Sequence, residues 1–339
     1  MRKLVNRFVF LLNSIVAFAL LLSYLLPYIS PKTFPLLSVL SLTVPILILI
    51  NALFMVYWIL LVNRRFLLSF IVLLLGISHV FSLYKFRGKS AKADKENTLS
   101  LLSYNVHSFN RFEWIDNELI PQEISALVKE QNPDIFCGQE FYNNPDIDFS
   151  QYPYSYQDFN NDNGELALVI LSKYPIINKG SLQFEGTANN IIFSDIVVKK
   201  DTLRVYNVHL QSHRITPSTD AIAKEGSQKL LSRMQMSFIK QQQQVDLLTD
   251  HIKTSPYKVM VMGDFNNSAY SYVYNTVLAQ GLKDAFKEAG KGFGKTYEFK
   301  LFPVRIDFIL VEEEFEVLTF KSFDTKLSDH YPVVTKIQL

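Results

Sequence analysis

Six short stretches of this chain hold side chains that could act together on a phosphate ester. They are Asn105 ending LLSYN, Glu140 in IFCGQE, Asn207 and His209 in VYNVHL, Asp264 and Asn266 in MGDFN, Asp307 in VRIDFIL, and Asp329 and His330 in LSDHYP. Two histidines, four carboxylates and three amides supply what such chemistry needs: oxygen ligands for a hard cation, a base for water, and donors for the phosphoryl oxygens. Each group ends or interrupts an apolar run of strand length, where a buried strand has no other use for it. In 258–268, Val259 to Met262 read as buried strand and Gly263 lets the backbone turn. Asp264 and Asn266 then emerge two residues apart, able to grip neighbouring points of one ligand. One such tip is an ordinary turn; the set carries the reading.

The elements that must position these groups follow from periodicity. Strands are expected at 98–105, 134–140, 166–172, 191–198, 202–208, 259–264, 306–311 and 332–337. An amphipathic helix at about 121–131 is closed by Asn132 and Pro133. A second helix carries Leu231, Met234, Phe238, Val245, Leu248 and Ile252 on one stripe, which puts Gln241 to Gln244 on a solvated face. The pattern predicts a two-layered sheet core flanked by helices. Cys137, the single cysteine, excludes an internal disulfide and reads as a buried, inert thiol.

Ahead of this lies a different kind of sequence. Residues 1–84 are nearly all apolar, with three spans at about 8–29, 34–62 and 66–83, each near or above the roughly 20 residues that cross a bilayer as a helix. Three spans do not describe a cleaved signal peptide. They describe a multi-pass integral membrane anchor, joined by a polar, lysine-rich linker (85–97) to a domain at 98–339. His79, inside the third span, reads as a helix-packing residue. Arg2, Lys3, Arg7, Arg64 and Arg65 favour a cytoplasmic N-terminus and second loop, and hence an extracytoplasmic domain, although the lysines of the linker pull the other way. Eleven of the 34 basic residues but only two of the 32 acidic ones precede Asn97. The domain after it carries a net charge of −7, which argues against a surface built to hold duplex DNA.

In order along the chain, YNV, PDIFCGQE, LSKYPI, YNVHL, MGDFN, RIDFIL and SDHYP resemble the endonuclease/exonuclease/phosphatase superfamily. These are metal-dependent phosphoesterases related to pancreatic-type deoxyribonuclease, neutral sphingomyelinase and inositol polyphosphate phosphatases. The resemblance spans about 99–339. It implies a four-layered α/β sandwich of two packed mixed sheets, with the site at one end. It further implies that Glu140 binds an essential Mg²⁺ (or Mn²⁺) with Asn105 near it and Asp329 completing the metal side. Asp264 would orient or deprotonate the attacking water, and Asn266 would hold the phosphate. His330, oriented by Asp307, and His209 would face the phosphoryl group, with Asn207 beside them on the substrate side. His107 stands where DNA-repair members often carry an aspartate, so action at abasic sites is not expected. Lys173 reads as structural. Glu165 is a candidate partner for His209, and His213 and Arg214 could meet an anionic head group.

The reading is therefore a membrane-anchored, Mg²⁺-dependent phosphoester hydrolase that attacks phosphorus in line with water. Its substrate is a lipid head group or, alternatively, a nucleic acid cleaved by an extracytoplasmic nuclease. A catalytically silent binding module is a further alternative, against which the intact set of polar residues argues. Nothing in the sequence calls for an obligate protein partner.

Overall fold

The computed structural model describes residues 2–89, 97–144, 147–159, 166–213, 226–299 and 302–339. Glu165, Arg214 and most of the linker lie outside the described residues.

The C-terminal part contains β1 (Thr98–Asn105), α6 (Ile120–Gln131), β2 (Ile135–Phe141), β3 (Tyr154–Asp158), β4 (Ala167–Ser172), β5 (Ile176–Ser181), β6 (Asn190–Val198) and β7 (Asp201–His209). There follow α7 (Ser227–Lys253), β8 (Lys258–Asp264), α8 (Tyr272–Leu278), β9 (Leu282–Asp284), α9 (Ala285–Ala289), β10 (Asp307–Glu312), β11 (Glu316–Ser322) and β12 (Val333–Gln338). Two six-stranded mixed sheets result, ordered β11-β12-β1-β2-β4-β3 and β5-β6-β7-β8-β10-β9. Between them Leu101, Ile135 and Ile170 of the first meet Ile192, Val205 and Met260 of the second in a core sealed from water. Cys137 is in that layer, where burial pushes its thiol up. On the outer face of the second sheet lie Val245, Leu248 and Ile252 of α7; on that of the first lie Ile124 and Val128 of α6. Strands with both faces covered must be apolar throughout, which explains the continuous burial of β4 and most of β1 and β8.

The N-terminal part contains α1 (Arg2–Ser23), α2 (Pro35–Leu40), α3 (Val44–Leu60), α4 (Phe66–Leu75) and α5 (Ile77–Leu83). Two helical stretches, Lys3–Tyr28 and Pro35–Leu60, are long and apolar enough to cross a membrane. The third expected span is bent by 82° between α4 and α5, and counts as a span only if the pair is taken together. Gly76 stands at the bend; a Cβ there would fall 2.0 Å from the Tyr24 ring carbon Cζ. The helices are pinned by a buried polar network: Asn13 donates to Ser69 Oγ (2.6 Å), Trp58 Nε1 to Asn13 Oδ1 (3.0 Å), and Ser69 Oγ to Asn51 Oδ1 (3.2 Å).

The two parts are docked. Tyr270 of the C-terminal part is buried in the apolar cluster of the N-terminal helices, stacks on His79 at 5.9 Å and donates to the His79 carbonyl. Asn275 donates to the Pro27 carbonyl, and Lys32 pairs with Asp246 at 2.6 Å.

Candidate active site

The register of the second sheet brings three of the expected residues side by side. Asp264, at the end of β8, pairs with His209 of β7 on one side and Asp307 of β10 on the other. Gly263, just before it, is required for a reason other than the expected turn. The strand runs on through it at φ 137°, and a Cβ would fall 2.0 Å from the Val208 carbonyl oxygen. From the first sheet, β1 delivers Asn105 and β2 delivers Glu140. A register shift in β2 between Gly138 and Phe141, with Glu140 at φ 49°, turns that carboxylate toward the second sheet. Ser328 ties the remaining loop to β1 by donating to the Asn105 carbonyl at 2.9 Å.

Asp264 is the hub. Its Oδ2 accepts from Asn105 Nδ2 (3.2 Å) and Asn266 Nδ2 (3.2 Å), and its Oδ1 from the Asn266 N–H (2.7 Å). The same Oδ2 lies 3.7 Å from Nε2 of both His209 and His330. Asn105 Nδ2 also reaches Glu140 Oε1 (3.1 Å), which is 3.8 Å from His209 Nε2. His330 Nδ1 faces both oxygens of Asp307 at 3.0 and 3.1 Å. Asp329 Oδ1 pairs with His107 Nδ1 at 3.0 Å, and the His107 ring stacks on Trp114 at 3.8 Å.

Burial raises the Asp264 carboxyl to about 6, an effect that His330 and His209 restrain and Asp307 reinforces. Burial also opposes charge on His330, but Asp307 and Asp264 outweigh it, and its protonation rises well above the usual histidine range. For Asp329, burial works upward, yet the His107 bond and the field of His330 hold the carboxyl down at about 2. Asp264, Asp307 and His330 form a buried group whose ligand atoms lie within 4.8 Å of one another and could hold a metal ion. Glu140 and Asp329 add oxygen donors at its edge. A carboxylate-rich set of this kind suits a hard divalent cation.

Asn207 lies deeper than the substrate-facing position expected for it. It is fully buried, donates to the carbonyls of Gly138 (2.9 Å) and Val169 (2.8 Å), and accepts from Gln139 Nε2 (2.7 Å). Its amide bridges the two sheets beneath the site. Lys173 is structural in its bonding, with Nζ donating to the Asn132 carbonyl.

The glutamine run overturns another expectation. Gln241, Gln242 and Gln244 are buried. Gln241 donates to the carbonyls of Gln211 and Asn266 and accepts from Asn267 Nδ2; Gln244 accepts from the Gln211 N–H. Gln242 accepts from Ser30 Oγ and the Lys32 N–H of the anchor's first loop. What looked like a solvated face holds the site loops and the anchor loop to one helix. Tyr297, whose ring lies 4.9 Å from that of His330, was also not singled out by sequence, because a tyrosine in a loop carries no pattern.

The site opens into a cavity of about 410 Å³. Glu140, Asp264, Asp329 and His330 line it at one end.

A profile for the Endonuclease/Exonuclease/phosphatase family matches residues 102–330, and the chain belongs to that family. The N-terminal residues 6–83 match a second profile, Domain of unknown function (DUF8431). No curated protein matches the chain. Among solved structures, an endonuclease/exonuclease/phosphatase from Bacteroides vulgatus is 18% identical with a TM-score of 0.55, over 72% of this chain and 100% of that one. D. rerio TDP2 complexed with single strand DNA product is 16% identical with a TM-score of 0.53, over 71% and 99%. A humanized D. rerio TDP2 is 17% identical with a TM-score of 0.52, over 71% and 99%. At these identities the likeness is one of fold.

Proposed function

We propose that this protein is a multi-pass membrane enzyme that hydrolyses phosphate esters with Mg²⁺, or alternatively Mn²⁺, and that its catalytic domain lies outside the cytoplasm. The observation that carries this reading is the convergence on Asp264 Oδ2 of His209, His330 and Asn105 from both sheets. Asp264 accepts the proton of the attacking water. His330, its ring orientation and positive charge held by Asp307, presents Nε2–H to a phosphoryl oxygen, and His209 and Asn266 complete the donor set. Glu140 and Asp329, with Asn105 beside them, would hold the cation, which when bound would supply positive charge for the phosphoryl oxygens. The water adds in line to phosphorus and no covalent intermediate is needed.

The orientation is supported by which ends of the anchor touch what. Asn6 lies against Tyr57 and Arg65, while Pro27, Ser30 and Lys32 touch the catalytic domain. The end that carries Arg2, Lys3, Arg7, Arg64 and Arg65 is thus the far end, which the positive-inside tendency assigns to the cytoplasm against the opposing pull of Lys32 and the linker cations at the near end.

The test uses the full chain in detergent with bis(p-nitrophenyl) phosphate, Mg²⁺ or Mn²⁺, and a chelator. Turnover is expected with metal, and is expected to vanish with chelator and to fall by roughly a thousandfold in His330→Asn. Turnover that survives both would overturn the reading.

A further inference from the structure

The site's cavity does not end within the catalytic domain. Beyond the polar floor its walls are Leu42, Pro45, Ile46 and Leu83 of the anchor, faced by Phe299 and Phe302, whose rings meet at 5.3 Å. Leu42 to Ile46 lie seven to eleven residues into the stretch Pro35–Leu60, roughly 10 to 16 Å along a helix axis from its start. The chemistry at one end is therefore continuous with membrane-spanning sequence at the other.

We propose that the anchor is part of the substrate site and that the substrate is a lipid of the surrounding leaflet, its phosphate ester on the polar floor and its hydrocarbon along Leu42, Pro45 and Ile46. This rests on the phosphoesterase reading above. A pocket of this size takes a small molecule and buries most of it. A lipid answers both ends of the cavity, whereas a water-soluble ester would leave the apolar walls without a partner. Arg305, the one guanidinium among the described lining residues, is buried and committed to Asp284 Oδ2 at 2.8 Å. A nucleic acid strand instead asks for free cations along a groove. His213 also lines the cavity; it is buried, and neither ring nitrogen has a hydrogen-bond partner among the described residues. An unanswered polar group there fits a head-group oxygen. In the reaction the water oxygen bonds to phosphorus and the bond from phosphorus to the leaving ester oxygen breaks. The proton taken by Asp264 ends on that oxygen, giving an alcohol.

The experiment follows hydrolysis of bis(p-nitrophenyl) phosphate by the full chain in detergent, with two competitors: didecanoyl phosphatidic acid and glycerol 3-phosphate. The lipid is expected to inhibit at concentrations at least about tenfold lower than the soluble phosphate. In Ile46→Trp and Leu42→Trp, which fill the wall, that ratio is expected to fall toward one. Because the ratio is read on a single preparation, it does not depend on how much protein folds. Equal inhibition by the two competitors in the unaltered chain, or a ratio that the wall variants leave intact because the lipid merely partitions into micelles, would overturn the inference and leave the phosphoesterase reading standing. No turnover of the small ester with either metal would remove both.

Discussion

Two buried acid–base pairs, each with its carboxylate on a strand of the second sheet, differ in one respect. Arg204 and Asp195 meet through two bonds, Nε to Oδ1 at 2.6 Å and Nη2 to Oδ2 at 2.7 Å, and Asn178 donates to the same carboxylate. The guanidinium also lies over the Phe193 ring. That pair is closed. His330 and Asp307 are as well buried, but one face of the imidazole is left over: Nε2 stops 3.7 Å from Asp264, at the floor of a cavity. A buried charge by itself marks structure as readily as function. The distinguishing sign is an unused donor turned toward open space.

The comparison can be broken at several points. His330→Asn, whose amide nitrogen falls near the position of Nδ1 and so keeps a donor for Asp307 while removing Nε2, is expected to lower kcat/KM by roughly a thousandfold, about 4 kcal/mol, with little change in melting temperature. If that variant were unfolded rather than inactive, the two pairs would be alike. Arg204→Met should do the reverse. It leaves Asp195 buried without its cation, costs about 3 to 5 kcal/mol of stability and leaves kcat per folded molecule unchanged. Thermal melting and active-site-normalised rates measured together separate the two effects. Adding Asp195→Leu should restore most of the loss.

A third measurement concerns acid. Burial, with Arg233 contributing, lowers His213 to about 4, so the unfolded chain binds a proton there that the folded chain refuses. Stability from this group is complete above the ordinary histidine range and is lost as pH falls from about 6.5 toward 4, on the order of 3 kcal/mol in all. His213→Phe, which keeps an aromatic ring against Phe238, should flatten the melting temperature over that window. A wild-type melting curve indifferent to pH there would contradict the burial argument. The smallest effect is expected of Trp114→Ala. This exposed indole stacks on His107, which in turn bonds Asp329, and otherwise meets the Phe112 ring edge-on at 5.0 Å, so a loss of roughly two- to fivefold in kcat/KM is the expected scale. A much larger loss would make Trp114 a substrate contact.

The eight strands legible in the sequence are the eight interior strands of the two sheets. Those it did not reveal, β3, β5, β9 and β11, are the four edges. The reason is burial: β5 and β3 expose several positions each, so neither a continuous apolar run nor strict alternation survives in them. The convergent residues were legible because Glu140, His209, Asp264 and Asp307 break apolar strands at their tips. Asn207 shows the limit of that argument, since a polar residue within such a strand can equally be a bridge between sheets. Gln241 and Gln242 were misread because helical periodicity separates apolar from polar positions and is silent on which polar ones are buried. Leu42, Pro45 and Ile46 could not have been picked out at all, for in a membrane span a leucine facing a cavity and one facing lipid are written alike.

Gln241 and Gln242, neighbours on α7, grip the loop that carries Asn266 and the loop that carries Ser30. With Tyr270 and Asn275 also fastened to the anchor, the catalytic domain has several separated attachments and no axis about which to swivel. Its mouth is held at one height and one attitude. Acting on the lipid substrate proposed above, such an enzyme samples a plane instead of a volume, and its rate is then expected to follow the number of substrate molecules per unit of membrane area. Diluting the substrate with inert detergent or lipid should therefore slow it even when the total amount in the tube is constant.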